Sequence, residues 1–224
     1  KLSVLTTDGT SPAIFGTTSA STSTSIIYNS SSSTAVSMCD WRVERSASDQ
    51  YNFVIMRSDN NNDNEFIFVG NGNALADGSF SGGGADYAEY FEWKDGNTDK
   101  EDRRGYTVVL DGDKIRKSTS DDNASTIIGV VSGNPSMVGD SDINQWKHKY
   151  QRDNYGTYIV DKNGDRVLNS SYDDTKEYIS REDRQEWNTI GLMGKLRVRV
   201  GQTIGDRWIK MREISDTVHE YLVR

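Results

Sequence analysis

Carboxylates alternate with aromatic side chains in one short stretch of the chain, Asp86-Tyr87-Ala88-Glu89-Tyr90-Phe91-Glu92-Trp93. On a helix Asp86 and Glu89 would share a face, whereas on a strand Glu89 would lie on the face opposite Asp86 and Glu92. Two close carboxylates in partly apolar surroundings have pKa values that are pushed apart, so one can hold a proton while the other acts as a base. Such a pair can activate a water molecule or an adjacent peptide bond. A solvated acidic edge beside a buried aromatic strand explains the same spacing without any chemistry.

The composition excludes several classes of partner and indicates a thin core. The chain has 224 residues, a net charge of −8 and 34% hydrophobic residues, which suits an elongated or oligomeric protein whose core is shared between chains. Because no long basic run occurs, we expect no nucleic-acid partner. No apolar run has membrane-spanning length, so we expect no membrane association. The single cysteine, Cys39, cannot form an intrachain disulfide.

The N-terminal region is biased toward small hydroxyl side chains. Residues 1–40 contain 19 Ser or Thr residues, interrupted by short apolar and β-branched pairs. This spacing favours short strands separated by turns, as in a β-stalk in which three chains wind together around a narrow core. Disorder and an ordinary β-sandwich are alternatives that the composition leaves open.

The pattern is clearer from residue 41 onward. Residues 41–45, 51–57 and 66–69 predict an antiparallel meander, and the small residues of 74–84, which end in three glycines, indicate a connector. Residues 106–110 and 114–117 predict a hairpin around an Asp-Gly turn, residues 125–132 predict a buried strand, and the alternation within residues 189–200 predicts a further strand. Trp208 to Leu222 is near helical spacing, although a strand from Trp208 to Ile214 fits nearly as well. We therefore predict a mainly β protein with minor α content, the C-terminal domain being α+β. Its two parts are an elongated β-stalk over residues 1–85 and a compact domain over residues 86–224.

The sequence contains no pattern typical of a metal or cofactor site. His148, His219 and Cys39 have no metal-ligand spacing, and no glycine-rich phosphate-binding loop occurs. Residues 161–165 fit a hairpin turn better than a calcium loop. We expect no metal and no cofactor.

Several motifs resemble one family of phage proteins. They are GADYAEYFEW (residues 84–93), IGVVSGNPS (128–136), GDS (139–141), IGLMGKLRVR (190–199) and the final Ile214-Ser215. In this order they resemble the C-terminal intramolecular chaperone, or self-cleaving, domain of bacteriophage neck-appendage and tail-spike proteins, which is classed among the glutamic-type peptidases. The resemblance covers residues 84–224.

The resemblance implies both a function and a set of site residues. The domain would bring three chains into register, drive folding of a trimeric β-fibre in the bacterial host cytoplasm, and then be released by one autoproteolytic cut. The implied catalytic residues are Asp86 and Glu89, the implied scissile bond is Ala85–Asp86, and Glu92 is a supporting candidate. The implied partners are two further copies of the chain and the upstream β-fibre of the same polypeptide. Trp41 and the other aromatic side chains of the stalk suggest a host cell-surface glycan as a further partner, although no motif indicates one. The implied location is the virion.

Position 85 departs from a similar chaperone of phage endosialidases, which cuts at a Ser-Asp bond. A serine hydroxyl there can attack its own carbonyl, and Ala85 has no such group. Either the carboxylate pair suffices, with Glu89 as base and Asp86 polarising or protonating the bond, or this chain does not cut. In the second case the domain would be a retained structural or glycan-binding tip of a spike. A conventional hydrolase of external substrates is a third alternative, without a cleft-building motif behind it.

Overall fold

The structure is a computed structural model that describes residue 39 and residues 41–59, 63–143 and 145–224. Backbone contacts divide the chain into two units, Lys1–Arg45 and Ser46–Arg224, and every strand described below lies in the second. The predicted mainly β architecture is confirmed. The described residues contain no α-helix, so the minor α content is not found there; their helical turns are short 3-10 helices at Ala124–Thr126 and Arg181–Asp183.

The predicted stalk and the expected absence of a membrane-spanning segment both concern residues beyond those that the structure describes. The predicted stalk strands of residues 1–38 lie outside the described residues. Among the described residues, no helix has the length and apolar character needed to cross a lipid bilayer.

A three-stranded antiparallel sheet comes first in the second unit. Its strands are β1 Asn52–Ser58, β2 Asp63–Val69 and β3 Ala74–Ala76. The meander prediction is correct in kind but wrong in membership, because residues 41–45 form no strand. The small residues of β3, which were expected to be a connector, pair instead with Phe66, Ile67 and Phe68 of β2. Hydrogen bonding to a neighbour with high β propensity therefore overrides the composition of β3.

A larger sheet contains the remaining eight strands. They are β4 Asp86–Glu92, β5 Thr107–Asp111, β6 Lys114–Lys117, β7 Ile127–Val131, β8 Met137–Gly139, β9 Trp187–Arg199, β10 Ile209–Ser215 and β11 Val218–Val223. The order is β10-β11-β9-β7-β5-β6, while β4 pairs with β9 and carries β8 on its other edge. The predicted β5–β6 hairpin and the buried strand β7 are confirmed. The helical alternative for Trp208 to Leu222 is wrong, because that segment forms the β10–β11 hairpin.

Strand β9 organises this sheet. It is 13 residues long, and its first part pairs with β4, from Trp187 opposite Glu92 to Gly194 opposite Asp86. Its other edge pairs with β7 at Gly191 and with β11 from Gly194 onward. Leu196 and Val198 alternate with exposed residues and are buried, as expected of a strand with one face on the core.

Two apolar clusters fill the space against the sheet. The first comprises Trp93, Val108, Ile115, Val131 and Ile190, and the second comprises Val130, Leu196, Val198 and Val223. The indole of Trp93 is 1% exposed, and its Nε1 donates to Oδ1 of Asn188 at 2.8 Å. A buried indole N–H without such a partner would be costly, so this bond fixes the end of β4 against β9.

Residues 150–168 form isolated antiparallel bridges rather than continuous strands. The Asn-Gly turn predicted at residues 163–164 is present, but of its two central residues only Gly164 has a positive φ, of 79°. Oδ1 of Asp161 accepts the N–H groups of Asn163 and Asp165 at 2.8 and 2.9 Å, so the aspartate holds the turn. Arg166 donates to the Asn71 carbonyl at 2.5 Å, which ties this segment to the meander. The domain boundary at residues 85–86 stays a prediction.

A buried guanidinium provides a test of the packing around Trp93. Arg103 is 6% exposed, lies 4.3 Å from the Trp93 ring centroid and donates to both carboxylate oxygens of Asp95 at 2.9 and 2.7 Å. We expect Asp95→Asn to lower the free energy of unfolding by about 1 kcal/mol at pH 7, because Asp95 is itself largely exposed and Glu101 remains as a partner. Urea unfolding measures the change, with the exposed Asp99→Asn as control.

The same substitution has a defined pH dependence. The Arg103 hydrogen bonds lower the pKa of Asp95 from 3.8 to about 2, so its stabilisation is complete above pH 3.8 and is lost as the pH falls toward 2. The difference between Asp95→Asn and the parent should therefore shrink across that window. A difference that stays constant down to pH 2 would contradict the assignment.

Candidate functional site

The Ala85–Asp86 peptide lies at the start of strand β4 and is held from two sides. The Ala85 carbonyl oxygen accepts the N–H of Lys195 in β9 at 3.1 Å, and the Asp86 carbonyl oxygen accepts the N–H of Ser136 at 2.7 Å. Asp86 is buried, whereas Ala85 is exposed. The peptide bond is thus fixed by backbone hydrogen bonds while its N-terminal side is open to solvent.

Close approach, rather than flexibility, explains two glycines near this bond. A Cβ on Gly84 would lie 2.4 Å from the backbone of Pro135 and Ser136, and real Cβ atoms do not approach backbone so closely. A Cβ on Gly194, whose φ is 118°, would lie 2.4 Å from the Ala85 carbonyl oxygen. By contrast, Gly83 has open space around it. Gly84 therefore passes directly beneath the loop of residues 133–136, and Gly194 lets β9 reach the Ala85–Asp86 peptide.

The Asp86 carboxyl group is buried and incompletely paired. It is 6% exposed, and its Oδ2 finds no hydrogen-bond partner among the described residues. Burial raises the pKa of Asp86, while a hydrogen bond from the Ser132 hydroxyl acts in the opposite direction. A Cβ on Gly191 would lie 2.8 Å from Oδ2, so the carboxyl group occupies space that only a glycine leaves free. This environment favours the protonated acid over the carboxylate.

Glu89 lies on the opposite face of β4. The alternation of a strand puts Tyr87 and Glu89 on one face and Asp86 and Ala88 on the other. The Tyr87 hydroxyl donates to Oε1 of Glu89 at 2.5 Å, and this hydrogen bond is the main cause that raises the pKa of Tyr87. Both side chains pack against Gly139 of β8, where a Cβ would lie 2.8 Å from the Tyr87 hydroxyl. Glu89 is therefore held in place, but away from the Asp86 carboxyl group.

Glu92, the supporting candidate, is engaged elsewhere. Its Oε1 accepts from Nζ of Lys114 at 2.5 Å, at the end of β4 farther from Ala85. Within one chain the structure therefore brings Asp86 to the Ala85–Asp86 peptide but does not bring Glu89 or Glu92 to it. The catalytic roles of Asp86 and Glu89 stay predictions.

A cavity of about 850 Å³ adjoins Glu89. Its walls include the aromatic residues Trp146, Tyr178 and Trp187 and the guanidinium of Arg181. Arg181 is 2% exposed and pairs with Asp140 and Asp142, each at 2.7 Å. These ion pairs fix the loop that follows β8, and β8 in turn packs against Glu89. In residues 39, 41–59, 63–143 and 145–224, no three His, Cys, Asp or Glu side chains gather as metal ligands would.

Sequence reasoning missed three groups at this site. The N–H of Lys195 is a backbone group and has no residue-type signal. Ser132 and Tyr87 lie within the quoted motifs, but their neighbours across the sheet depend on the β4–β9 register. The usable signal was the pair of glycines at positions 191 and 194, because glycine inside a strand often marks a bulge or a close backbone approach.

Burial of Asp86 should be visible in the pH dependence of stability. Its folded-state pKa is raised above the unfolded value of 3.8, so the native state binds more protons and the parent loses stability as the pH rises through that interval. Asp86→Asn cannot ionise, so we expect its free energy of unfolding to shift in its favour relative to the parent from pH 4 upward. Urea unfolding at several pH values measures this.

A second carboxylate is the matched control for Asp86. Hydrogen bonds from Arg116 lower the pKa of Asp122 below 3.8, so Asp122→Asn should become less stable relative to the parent as the pH rises toward 3.8 and should keep a constant difference above pH 4. A difference that is also constant above pH 4 for Asp86→Asn would contradict the description of Asp86.

The fit of Gly84 beneath the loop predicts a contrast between neighbouring glycines. We expect Gly84→Ala to lower the free energy of unfolding by about 1–3 kcal/mol, because its methyl group meets rigid backbone. Gly83→Ala, which has free space, should be neutral or slightly stabilising, because alanine narrows the unfolded ensemble. Equal effects of both substitutions in urea unfolding would show that the loop does not confine Gly84.

Known proteins with related sequences support the motif-based identification. The chain is 36% identical to the pre-neck appendage protein of Bacillus phage B103 over 129 residues, 54% of this chain and 14% of that protein. It is 33% identical to the pre-neck appendage protein of Bacillus phage phi29 over 144 residues, 60% of this chain and 16% of that protein. It is also 28% identical over 144 residues to the putative phage-related protein YobO of Bacillus subtilis strain 168, covering 59% of this chain and 17% of that protein. The chain thus spans only a small part of the length of these relatives.

A solved structure and a family profile agree with this. The crystal structure of the pre-mature bacteriophage phi29 gene product 12 superposes with a TM-score of 0.60 at 27% identity, covering 72% of this chain and 24% of that chain. The profile of the family described as Peptidase_G2, IMC autoproteolytic cleavage domain, matches residues 41–220. The resemblance inferred from the motifs is confirmed, and the chain belongs to the Peptidase_G2 family of IMC autoproteolytic cleavage domains.

Proposed function

We propose that this chain is part of a phage neck-appendage or tail-spike protein and that residues 86–224 are its removable C-terminal intramolecular chaperone. In this proposal three copies associate through this domain, the upstream β-fibre folds in register, and the domain is released by a cut at Ala85–Asp86. Register errors between intertwined strands are slow to correct, and association of the domains raises the effective concentration of the three fibre starts. The observation that carries the proposal is the Ala85–Asp86 peptide, held in the sheet beside a buried carboxyl group of raised pKa.

The proposed cut is a hydrolysis with two carboxyl groups in different protonation states. A water oxygen bonds to the Ala85 carbonyl carbon while Glu89 takes a proton from that water, and the C=O electron pair moves to the carbonyl oxygen. When the tetrahedral intermediate collapses, the C=O bond re-forms, the C–N bond breaks, and the Asp86 carboxyl group gives its proton to the departing nitrogen. The products are a carboxylic acid at Ala85 and an amine at Asp86. Burial raises the pKa of Asp86 and so shifts its carboxyl group toward the protonated form that a general acid requires.

The general base is supplied by another copy of the chain in this proposal. Glu89 follows Asp86 by three residues of β4, which at 3.3 Å per residue is about 10 Å along the strand. It also lies on the opposite face, so its carboxylate cannot reach the Ala85 carbonyl carbon of its own chain. Ala85 is exposed and therefore accessible to Glu89 of a second copy.

An exposed apolar row beside Glu89 supports association at this face. Tyr87 lies opposite Met137 of β8 and Met193 of β9, and residues opposite one another in a sheet share a face. Met137 is 60% exposed and Met193 is 59% exposed. Burying the exposed part of these two methionines would favour association by about 2–4 kcal/mol before the entropic cost of association is subtracted. A second copy placed there would also lie next to Glu89.

Co-assembly of two inactive chains tests the shared site. Asp86→Asn alone and Glu89→Gln alone should each slow the cut by about 10²-fold or more, because each lacks one proton-transfer group. When the two chains are co-expressed, mixed assemblies should cut again, and mass spectrometry should find the new N-terminus at Asp86 from the Glu89→Gln chain only. Glu177→Gln, an exposed surface change, should cut at the parental rate.

Three outcomes would count against the proposal. If mixed assemblies remain uncut although both homogeneous variants are inactive, the base acts within one chain. A parent that sediments as a stable monomer would remove the chaperone function. A parent that never yields a fragment starting at Asp86 would remove the proteolysis.

A retained, glycan-binding tip is the second candidate. Ala85 lacks a nucleophilic hydroxyl, and the aromatic and carboxylate lining of the cavity beside Glu89 is of the kind that binds sugars, through stacking and hydrogen bonds. Persistent full-length trimer that binds host cell-wall glycan, with binding lost in Trp146→Ala, would favour this candidate over a removable chaperone.

A further inference from the structure

A backbone hydrogen bond already aims at the atom that would carry charge during the proposed cut. The N–H of Lys195 points at the Ala85 carbonyl oxygen over 3.1 Å, and that oxygen becomes negatively charged in the tetrahedral intermediate. Donors that are fixed before the reaction and aimed at a developing oxyanion are usually the largest single contribution to acyl-transfer catalysis. The Lys195 side chain is exposed, so its ammonium group is not needed for this contact.

We propose that the main-chain N–H of Lys195 is the oxyanion donor for cleavage of Ala85–Asp86. This inference rests on the proposed autoproteolysis and adds a catalytic contact that the carboxylate pair does not supply. Water attack moves the C=O electron pair onto the Ala85 oxygen, and the Lys195 N–H stabilises that charge. No proton is transferred from the amide, and the hydrogen bond returns to its original strength when the C=O bond re-forms.

The local shape of β9 is what brings this N–H to the scissile peptide. The β4–β9 register shifts between Tyr87 and Ala88, whose partners are Met193 and Gly191, so Leu192 is an extra residue in β9. Bulges of this kind re-aim the backbone and are frequent near active sites. Gly194 follows the bulge with φ of 118°, a conformation that residues with a Cβ rarely adopt. A Cβ there would lie 2.4 Å from the Ala85 oxygen and would push the peptide away from Lys195.

The other side of the scissile bond is fixed as well. The Asp86 carbonyl oxygen is held by the Ser136 N–H at 2.7 Å, and β4 continues into the sheet from Asp86 onward. The scissile peptide is therefore held at its own carbonyl and at the carbonyl of the next peptide, which lowers the cost of reorganisation as charge develops. If the Lys195–Ala85 hydrogen bond were only one of the bonds that pair β4 with β9, its loss would lower stability without specifically slowing the cut.

Replacing one amide by an ester removes the donor and leaves every side chain intact. In the full-length chain, the α-hydroxy analogue of lysine is incorporated at position 195, and the appearance of the Asp86 N-terminus is followed by mass spectrometry. The matched control is the α-hydroxy analogue of arginine at position 199, which removes the N–H that donates to the Gly105 carbonyl at 2.9 Å. Both esters delete one backbone hydrogen bond of β9, but only the first lies at the scissile peptide.

We expect the position-195 ester to cut about 10²-fold or more slowly than the parent, as loss of one oxyanion donor does. The position-199 ester should cut within a few-fold of the parent. The pH profile should keep its shape in both, because the acid and the base are unchanged and only the plateau falls.

The inference and the proposed function fail in different ways. Parental cleavage with equal rates for the two esters would overturn the Lys195 assignment and leave autoproteolysis intact. A parent that does not cut would overturn both. If the position-195 ester assembles poorly, Gly194→Ala gives a second measurement, because it displaces the same N–H; parental cleavage by its isolated trimer would also overturn the assignment.

Discussion

The close pairing of β4 with β9 around Asp86 and Gly194 is the contact on which the candidate site depends. It places the Ala85 carbonyl under the Lys195 N–H and buries the Asp86 carboxyl group against Gly191. A side chain at either glycine would separate the strands by more than the hydrogen bonds tolerate. The close approach of the two strands at these glycines therefore has two effects. It buries the Asp86 carboxyl group, which raises its pKa, and it orients the Lys195 N–H toward the Ala85 carbonyl oxygen.

The rest of the sheet maintains that contact. Trp93 and Asn188 fix the far end of the β4–β9 pair through the indole N–H, and the buried Arg103 covers the Trp93 ring. On the other edge of β4, strand β8 packs beside Glu89, and Arg181 holds the loop that follows it through Asp140 and Asp142. Two buried arginines therefore hold the end of the β4–β9 pair and the loop after β8. This support holds the Ala85–Asp86 peptide and the Asp86 carboxyl group in a fixed relative position.

Local patterns in the sequence predicted much of this fold, and the failures have physical causes. Alternation identified the part of β9 whose buried residues face the core, and the Asp-Gly turn signal identified the β5–β6 hairpin. Ala74–Ala76 was missed because its pairing with β2, not its composition, makes it a strand. The motifs identified the family correctly, while the catalytic roles that they imply for Asp86 and Glu89 stay predictions. The separation of these two residues onto opposite faces follows once β4 is known to be a strand, but no local pattern could supply the cross-strand donor at Lys195.

Because Asp86 is the first residue of β4, a cut before it would leave β4 whole. Of the backbone hydrogen bonds described around the scissile peptide, only that between Lys195 and Ala85 joins the two fragments; β4 keeps its partners β8 and β9. The newly formed ammonium group of Asp86 would then lie beside its own buried carboxyl group and draw it into the ionised form. The Asp86 carboxyl group would then no longer be available as a general acid, so the site would act once and would not re-form the bond. Such a site would cleave once, irreversibly, and would remain folded afterwards.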